Sequence, residues 1–154
     1  MTCGISELFA PLLYCCLTVN TKPRERSKVT LVTAVCDCRE ETAKFLASLG
    51  KYQPTVVHDF VIVDDGSENP TREYLLAASR RSGFDLLHNE ESCGYAFANN
   101  RAAASLTSEW LLFLNNDLVL TEDWFAPFEQ IIAGKARLAD SGCIGNIQIN
   151  PRTN

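Results

Sequence analysis

In "VIVDDGS", Val61 to Ser67, two adjacent carboxylates, Asp64 and Asp65, close an apolar run and are followed by a glycine. Neighbouring like charges repel, so such a pair is relieved by a cation or by a ligand rich in hydrogen-bond donors. Gly66 permits a sharp turn and a close backbone approach. A plainer reading is a turn in which Asp65 or Ser67 caps the next helix. A second acidic point lies in "EWLLFLNNDLVL", Glu109 to Leu120. This is either a β-hairpin with a polar turn, or a buried strand that ends at Asn115 and presents Asp117. The returning run Leu118–Leu120 is short, Thr121-Glu122-Asp123 is a helix-start signal, and the turn lacks the glycine that tight hairpins favour. On the second reading Asp117 offers hard oxygen ligands suited to Mg2+ or Mn2+, which bind through one or two carboxylates plus substrate phosphates. Asn116 then adds a hydrogen bond without charge. A third group is "NEESCGYAFANNR", Asn89 to Arg101, where Gly94 opens a helix whose amides can face an anion. Asn99, Asn100 and Arg101 fall on its second turn. Arg101 is placed to pair with a phosphate or an acidic cluster; the alternative is a solvated helix face.

The elements around these residues follow from periodicity. Val29–Cys36 is a β-branched run without alternation, as in a strand buried on both faces. "REETAKFLASLG" carries Ala43, Phe45, Leu46 and Leu49 at helical spacing, with Gly50 as a stop. Asp59–Ser67 is a second buried strand. Asn69 is a candidate N-cap with Pro70 at the first helical position, and that helix ends on Gly83. Phe84–His88 is a short third strand, a helix follows Gly94, and Thr121–Gly134 reads as an N-capped helix. Cys143–Asn150 is a last strand. Alternating strands and helices imply βαβ units and a mainly parallel α/β sheet, whose ligands bind beyond the carboxyl ends of the strands.

The chain has 154 residues, 46% hydrophobic and 21% charged, enough for one domain with a sizeable core. A net charge of −5 without a basic stripe argues against nucleic acid as a partner. "KPRERSK", Lys22 to Lys28, reads as a solvated linker. The seven cysteines show neither Cys-x-x-Cys pairs nor zinc spacing and read mostly as small core fillers in a reducing compartment. Ile5–Val19 is apolar but broken by Glu7 and Pro11, too short for a membrane span and without the basic lead-in of a signal peptide. It reads as a docking or capping helix, with a non-native start or a membrane-surface patch as the alternatives.

Four strings in order, "VTLVTAV", "VIVDDGS", "GYAFANNRAA" and "WLLFLNND", resemble the inverting GT-A glycosyltransferases of the family 2 type, over Val29 to about Ile149. The third and fourth look especially like the rhamnosyltransferase-like branch. The resemblance implies a GT-A (Rossmann-like) three-layer α/β/α fold, truncated. In that division residues 1–27 are an extension, 28–150 the nucleotide-sugar-binding domain, and 151–154 a cut end with the acceptor half absent. It further implies that Ala34, Val35 and Cys36 open onto the nucleotide base, although "AVCDC" replaces the family's usual Pro-Thr-Tyr-Asn. One of Asp64 and Asp65 would read the base. Gly94, Asn99 and Asn100 would line the donor site, Asn116 would face the ribose, and Asp117 would ligate Mn2+ or Mg2+ at the diphosphate. The implied partners are a nucleotide-diphosphate sugar donor and a glycan or lipid-linked acceptor. Sugar transfer would proceed with inversion, as in cell-wall or polysaccharide biosynthesis, with a general base beyond the last strand. The expected location is the cytoplasm, including the inner face of the membrane, with peripheral membrane association. A non-catalytic nucleotide-binding module is the alternative. A phospho-receiver fits poorly, because the first strand ends in Cys36 rather than an acidic pair. A dinucleotide-binding fold fits no better, because no Gly-x-Gly-x-x-Gly follows a strand.

Overall fold

The computed structural model describes residues 29–133. Ile5–Val19, Lys22–Lys28 and Cys143–Asn150 lie outside the described residues. The elements alternate: β1 (Val29–Val35), α1 (Arg39–Tyr52), β2 (Val57–Asp65), α2 (Asn69–Ser82), β3 (Asp85–Asn89), α3 (Tyr95–Ala103), β4 (Trp110–Phe113) and α4 (Ala126–Ile132). The four strands form one parallel sheet in the order β3-β2-β1-β4.

Every residue of β1 is buried, as its unbroken apolar pattern requires of a central strand covered on both faces. Val32 and Ala34, with Val61 and Val63 of β2, pack against Ala98 and Ala102 of α3. The alternate residues face the other way. Val29 and Leu31 meet Phe45 and Leu49 of α1, and Val35 and Ile62 meet Leu75 and Ala78 of α2. The segment from Leu114 to Ile132 packs on the α1 side. The result is the three-layer α/β/α arrangement expected. Among the described residues no helix is long and apolar enough to cross a membrane.

Several boundaries differ from those read in the sequence. Gly50 does not stop α1, which runs on to Tyr52 and ends at Gln53 in an extended conformation. Pro54 follows, and the residue before a proline is driven out of the helical region. The N-cap of α2 is Glu68, one residue earlier than Asn69, while Gly83 closes the helix at φ 73° as expected. The helix expected from Thr121 begins only at Ala126. In a helix started at Thr121, Pro127 would lie in the interior and clash with the carbonyl of residue 123. Started at Ala126, the helix holds Pro127 in its first turn. β4 is only partly buried, ends at Phe113 and forms the edge of the described sheet, so it is not the buried strand ending at Asn115 that was expected.

Candidate functional site

The site is built on the carboxyl ends of the strands. Because side chains alternate along β2, Asp64 faces α2 and Asp65 faces α3. Both are almost fully buried, at 1% and 2% exposure. The Asp64 carboxylate accepts from the Ser67 amide at 3.0 Å and from His88 Nδ1 at 2.9 Å, with Arg72 Nε 3.9 Å away. Parallel register sets both partners: His88 lies opposite Asp64, and Asn89 opposite Asp65.

Asp65 is more heavily bonded. It accepts from Asn89 Nδ2 at 2.6 Å, Ser92 Oγ at 2.9 Å and the Gly94 amide at 2.9 Å. The Cys93 amide is shared between its two oxygens at 3.0 and 3.1 Å. Burial opposes ionisation most strongly, yet these donors together outweigh it and hold the carboxyl below its ordinary value. The repulsion between adjacent carboxylates is thus relieved by the chain itself, and the anion at the start of α3 is Asp65. Behind this ring, Arg101 donates from α3 to the His88 carbonyl at 2.7 Å and to Asn89 Oδ1. Gly66, at φ 72°, passes so close to the loop that a Cβ would stand 2.4 Å from the Ser92 amide nitrogen. That is the close approach its sequence context suggested.

The loop after β1 is braced to the same rim. The Asp37 amide donates to Ser67 Oγ at 2.9 Å, and Asp37 Oδ1 accepts from the Glu68 amide at 2.8 Å. Asp37 and Cys38 both take left-handed conformations, at φ 56° and 54°. The Cys36 thiol lies 3.8 Å from Ser92 Oγ. Cys36, Cys38 and Cys93 are all exposed and free, so these three are not the core fillers expected. Conversely, Ala34 and Val35 are core residues, and of the three positions expected to open onto a base only Cys36 reaches the surface.

The end of β4 is different. The Leu114 amide extends the ladder to the Val32 carbonyl at 3.0 Å, and Asn116 Nδ2 donates to Thr42 Oγ1 of α1 at 3.0 Å. Leu118–Leu120 do not pair back, and the Leu120 amide instead donates to Ser48 Oγ at 3.0 Å, so the segment is not a hairpin. The turn is therefore pinned on both sides of Asp117, which is itself exposed. Among the described residues, no side chain bonds it and no group of three His, Cys, Asp or Glu side chains could hold a metal alone. A lone exposed carboxylate fits a divalent cation that draws its other ligands from a diphosphate and water. On α3, Asn100 is exposed. Asn99 is buried, with Nδ2 on the Tyr95 carbonyl at 3.0 Å and Oδ1 unbonded.

Sequence reasoning passed over His88, Asn89, Ser92 and Asp37. The usable signal was register: "DD" closes one strand, "HN" closes the next, and adjacent parallel strands align them.

The Glycosyl transferase family 2 sequence profile matches residues 30–149. A Drosophila melanogaster protein provisionally named polypeptide N-acetylgalactosaminyltransferase 13 is 24% identical over 139 residues, covering 82% of this chain and 25% of that protein. Among solved structures, TarS of S. aureus aligns with a TM-score of 0.60 at 19% identity, over 70% of this chain and 32% of TarS 1-349. The mannosyltransferase PcManGT of Pyrobaculum calidifontis, solved with GDP-Man and Mn2+, aligns with a TM-score of 0.60 at 22% identity, over 80% of this chain and 35% of its own. The chain spans about a quarter to a third of the length of these relatives.

Proposed function

The chain belongs to the Glycosyl transferase family 2, and from that premise we propose that it forms the donor-binding part of a hexosyltransferase. That enzyme moves a sugar from a nucleotide-diphosphate donor to a glycan or lipid-linked acceptor, with inversion. The observation that carries this reading is Asp117, an exposed and unbonded carboxylate held on a pinned turn at the carboxyl end of a parallel strand. TarS has been solved with UDP-GlcNAc, and PcManGT with GDP-Man and Mn2+, which supports a nucleotide-sugar and a divalent cation as the ligands here.

In this reading the donor lies along the rim formed by Cys36, the start of α3 with Gly94 and Asn100, and Asn116, with Ala34, Val35, Asp64, Asp65 and Asn99 buried beneath it. Asp117 would hold Mn2+ or Mg2+ against the diphosphate, where the cation neutralises the charge of the leaving group. Asn116, tied to α1 through Thr42, fixes the backbone next to Asp117. No described residue is assigned as the general base that inversion requires. Glu122 and Asp123 follow the Asn-Asn-Asp turn too closely to reach an acceptor on the far side of the sugar. "GYAFANN" together with "NND" supports a place in the rhamnosyltransferase-like branch.

The test is diphosphate release from a panel of nucleotide-sugars with Mn2+ and candidate acceptors. Release above an Asp117→Ala control supports the transferase. Nucleotide binding without release supports a non-catalytic module, and binding to neither ends the reading.

A further inference from the structure

Gly94 donates its amide to Asp65, the last residue of β2, so α3 starts level with the carboxyl ends of the strands and runs back over the sheet. Ala98 and Ala102 are its sheet-facing residues, packed with Val32, Ala34, Val61 and Val63. Tyr95 lies three residues before Ala98, on the same row and one turn nearer the strand ends. Helical side chains lean towards the helix N-terminus, which carries this one out past the last strand residues. No sheet is left beneath it, and Tyr95 is 55% exposed although it stands on the buried face of its helix. Among the described residues its ring has no hydrogen-bond, stacking or ionic partner.

The other exposed rings near this end of the sheet stand elsewhere. Phe97 is two residues on, about 200° around the helix axis. It lies four residues before Arg101, on the side from which that residue reaches the end of β3. Phe113 pairs with Val32 in the edge strand, three residues short of the end of β1. Around Tyr95 the chain instead closes in. Ser92, three residues earlier, meets the Cys36 thiol at the end of β1, and Gly66 lets the Glu91–Ser92 backbone lie directly on the β2 turn. The ring thus overhangs the ends of β1 and β2 where the β3–α3 loop rests on both.

We propose that Tyr95 is the ring on which the base of the nucleotide donor stacks. This rests on the donor-binding reading above and deepens it by naming the surface that holds the base. The sheet order puts β4, and with it the turn carrying Asp117, on one side of β1 and puts β2 on the other. A donor whose diphosphate meets a cation at Asp117 therefore has one end towards Tyr95. That end is the base, because the sugar must stay open to an acceptor and Tyr95 stands where a loop closes on two strands. Cys36, the exposed residue at the end of β1, offers a thiol and no flat face, so α3 supplies the stacking surface. Stacking uses only the face of a base and leaves its edge free for the polar groups at the end of β2.

The experiment uses the full chain as wild type, Tyr95→Phe and Tyr95→Leu, titrated with UDP and with GDP, each with and without Mn2+. An exposed ring carries little of the fold, so the urea midpoint should not move in either variant. Tyr95→Leu should lose about fivefold or more in affinity for UDP, and more again for GDP, whose purine covers a larger part of the ring. Tyr95→Phe keeps the face and should stay within about twofold of wild type for both. Protons of the bound base should shift upfield in the NMR spectrum with wild type and Tyr95→Phe, and not with Tyr95→Leu. The enhancement by Mn2+ should be the same in all three chains, since the ring is not at the diphosphate. Unchanged nucleotide affinity in Tyr95→Leu overturns the proposal. So does an equal loss in Tyr95→Phe, which assigns the effect to the hydroxyl, or a loss confined to the Mn2+-dependent part, which puts the ring at the diphosphate. A loss seen for UDP-GlcNAc and GDP-Man but for neither UDP nor GDP overturns it too, because the ring would then face the sugar. If the wild-type chain binds no nucleotide at all, the donor-binding reading itself falls and takes this proposal with it, a result distinct from binding that ignores Tyr95.

Discussion

Two strands of this sheet end in acidic residues, and the two ends are built in opposite ways. At β2 the carboxylates are buried and bonded to the chain's own amides and side chains. At β4 the single carboxylate is exposed, and its neighbours on either side carry the anchoring bonds. A buried carboxylate with filled acceptors stabilises local structure. One left in water on a fixed turn retains its capacity for a cation. The same residue type on the carboxyl side of a parallel sheet thus serves architecture at the end of β2 and, in the function proposed here, chemistry in the turn beyond β4.

The contrast should appear first in stability. Asp65→Ala leaves the Cys93 and Gly94 amides and the Asn89 side chain without their acceptor, at a cost of roughly 3 kcal/mol. Asp117→Ala removes no bond and should stay within about 0.5 kcal/mol of wild type. Urea unfolding of the two variants reads both numbers, and equal losses would break the distinction. Gly66→Ala comes next, at about 2 kcal/mol. It combines a left-handed φ with a Cβ driven onto the Ser92 backbone, where no side chain can swing aside. A fully stable Gly66→Ala variant would show that the loop does not rest on β2 as described.

Some of this was legible in the sequence and some was not. The buried central strands β1 and β2, the Pro70 start and Gly83 end of α2, and the tight turn at Gly66 all follow from local chemistry. They appear as expected because nothing distant competes with them. The ends of α1 and α4 were misplaced because single prolines, Pro54 and Pro127, outweighed Gly50 and the Thr121-Glu122-Asp123 signal. Asp64 and Asp65 were visible as a polar strand end, but their partners were not. His88 and Asn89 meet them only through the register of β2 against β3, and Ser92 only through the fold of a loop. The exposure of Cys36, Cys38 and Cys93 was equally hidden, since cysteine is usually a buried residue and only the strand ends place these three at the rim.

A smaller effect should be seen in acid. Asp65 titrates below its ordinary value of 3.8 in the folded chain, so the unfolded chain binds the extra proton first as the pH falls. Its contribution to stability is therefore complete above that ordinary value and is lost as the pH drops through the folded one. The wild-type urea midpoint should fall through this range more steeply than that of Asp65→Asn, which carries no titrating group there. Parallel acid limbs would mean that the ring of donors does not favour the ionised form.

The smallest change in stability belongs to the variant with the most to say about function. Asp117→Asn keeps the size of the side chain and leaves the anchoring of Asn116 to Thr42 and of Leu120 to Ser48 untouched. The urea midpoint should therefore not move. What it removes is the only carboxylate of the Asn115-Asn116-Asp117 turn, and a neutral amide oxygen is a much weaker ligand for a hard dication. Thermal-shift titration with UDP or GDP should show a stabilisation that Mn2+ enhances in the wild-type chain. In Asp117→Asn the Mn2+-dependent part should vanish, while any metal-independent part persists. An unchanged Mn2+ increment in a stably folded Asp117→Asn chain would place the cation elsewhere, and the exposed end of β4 would then lose the chemical role that sets it apart from the buried end of β2.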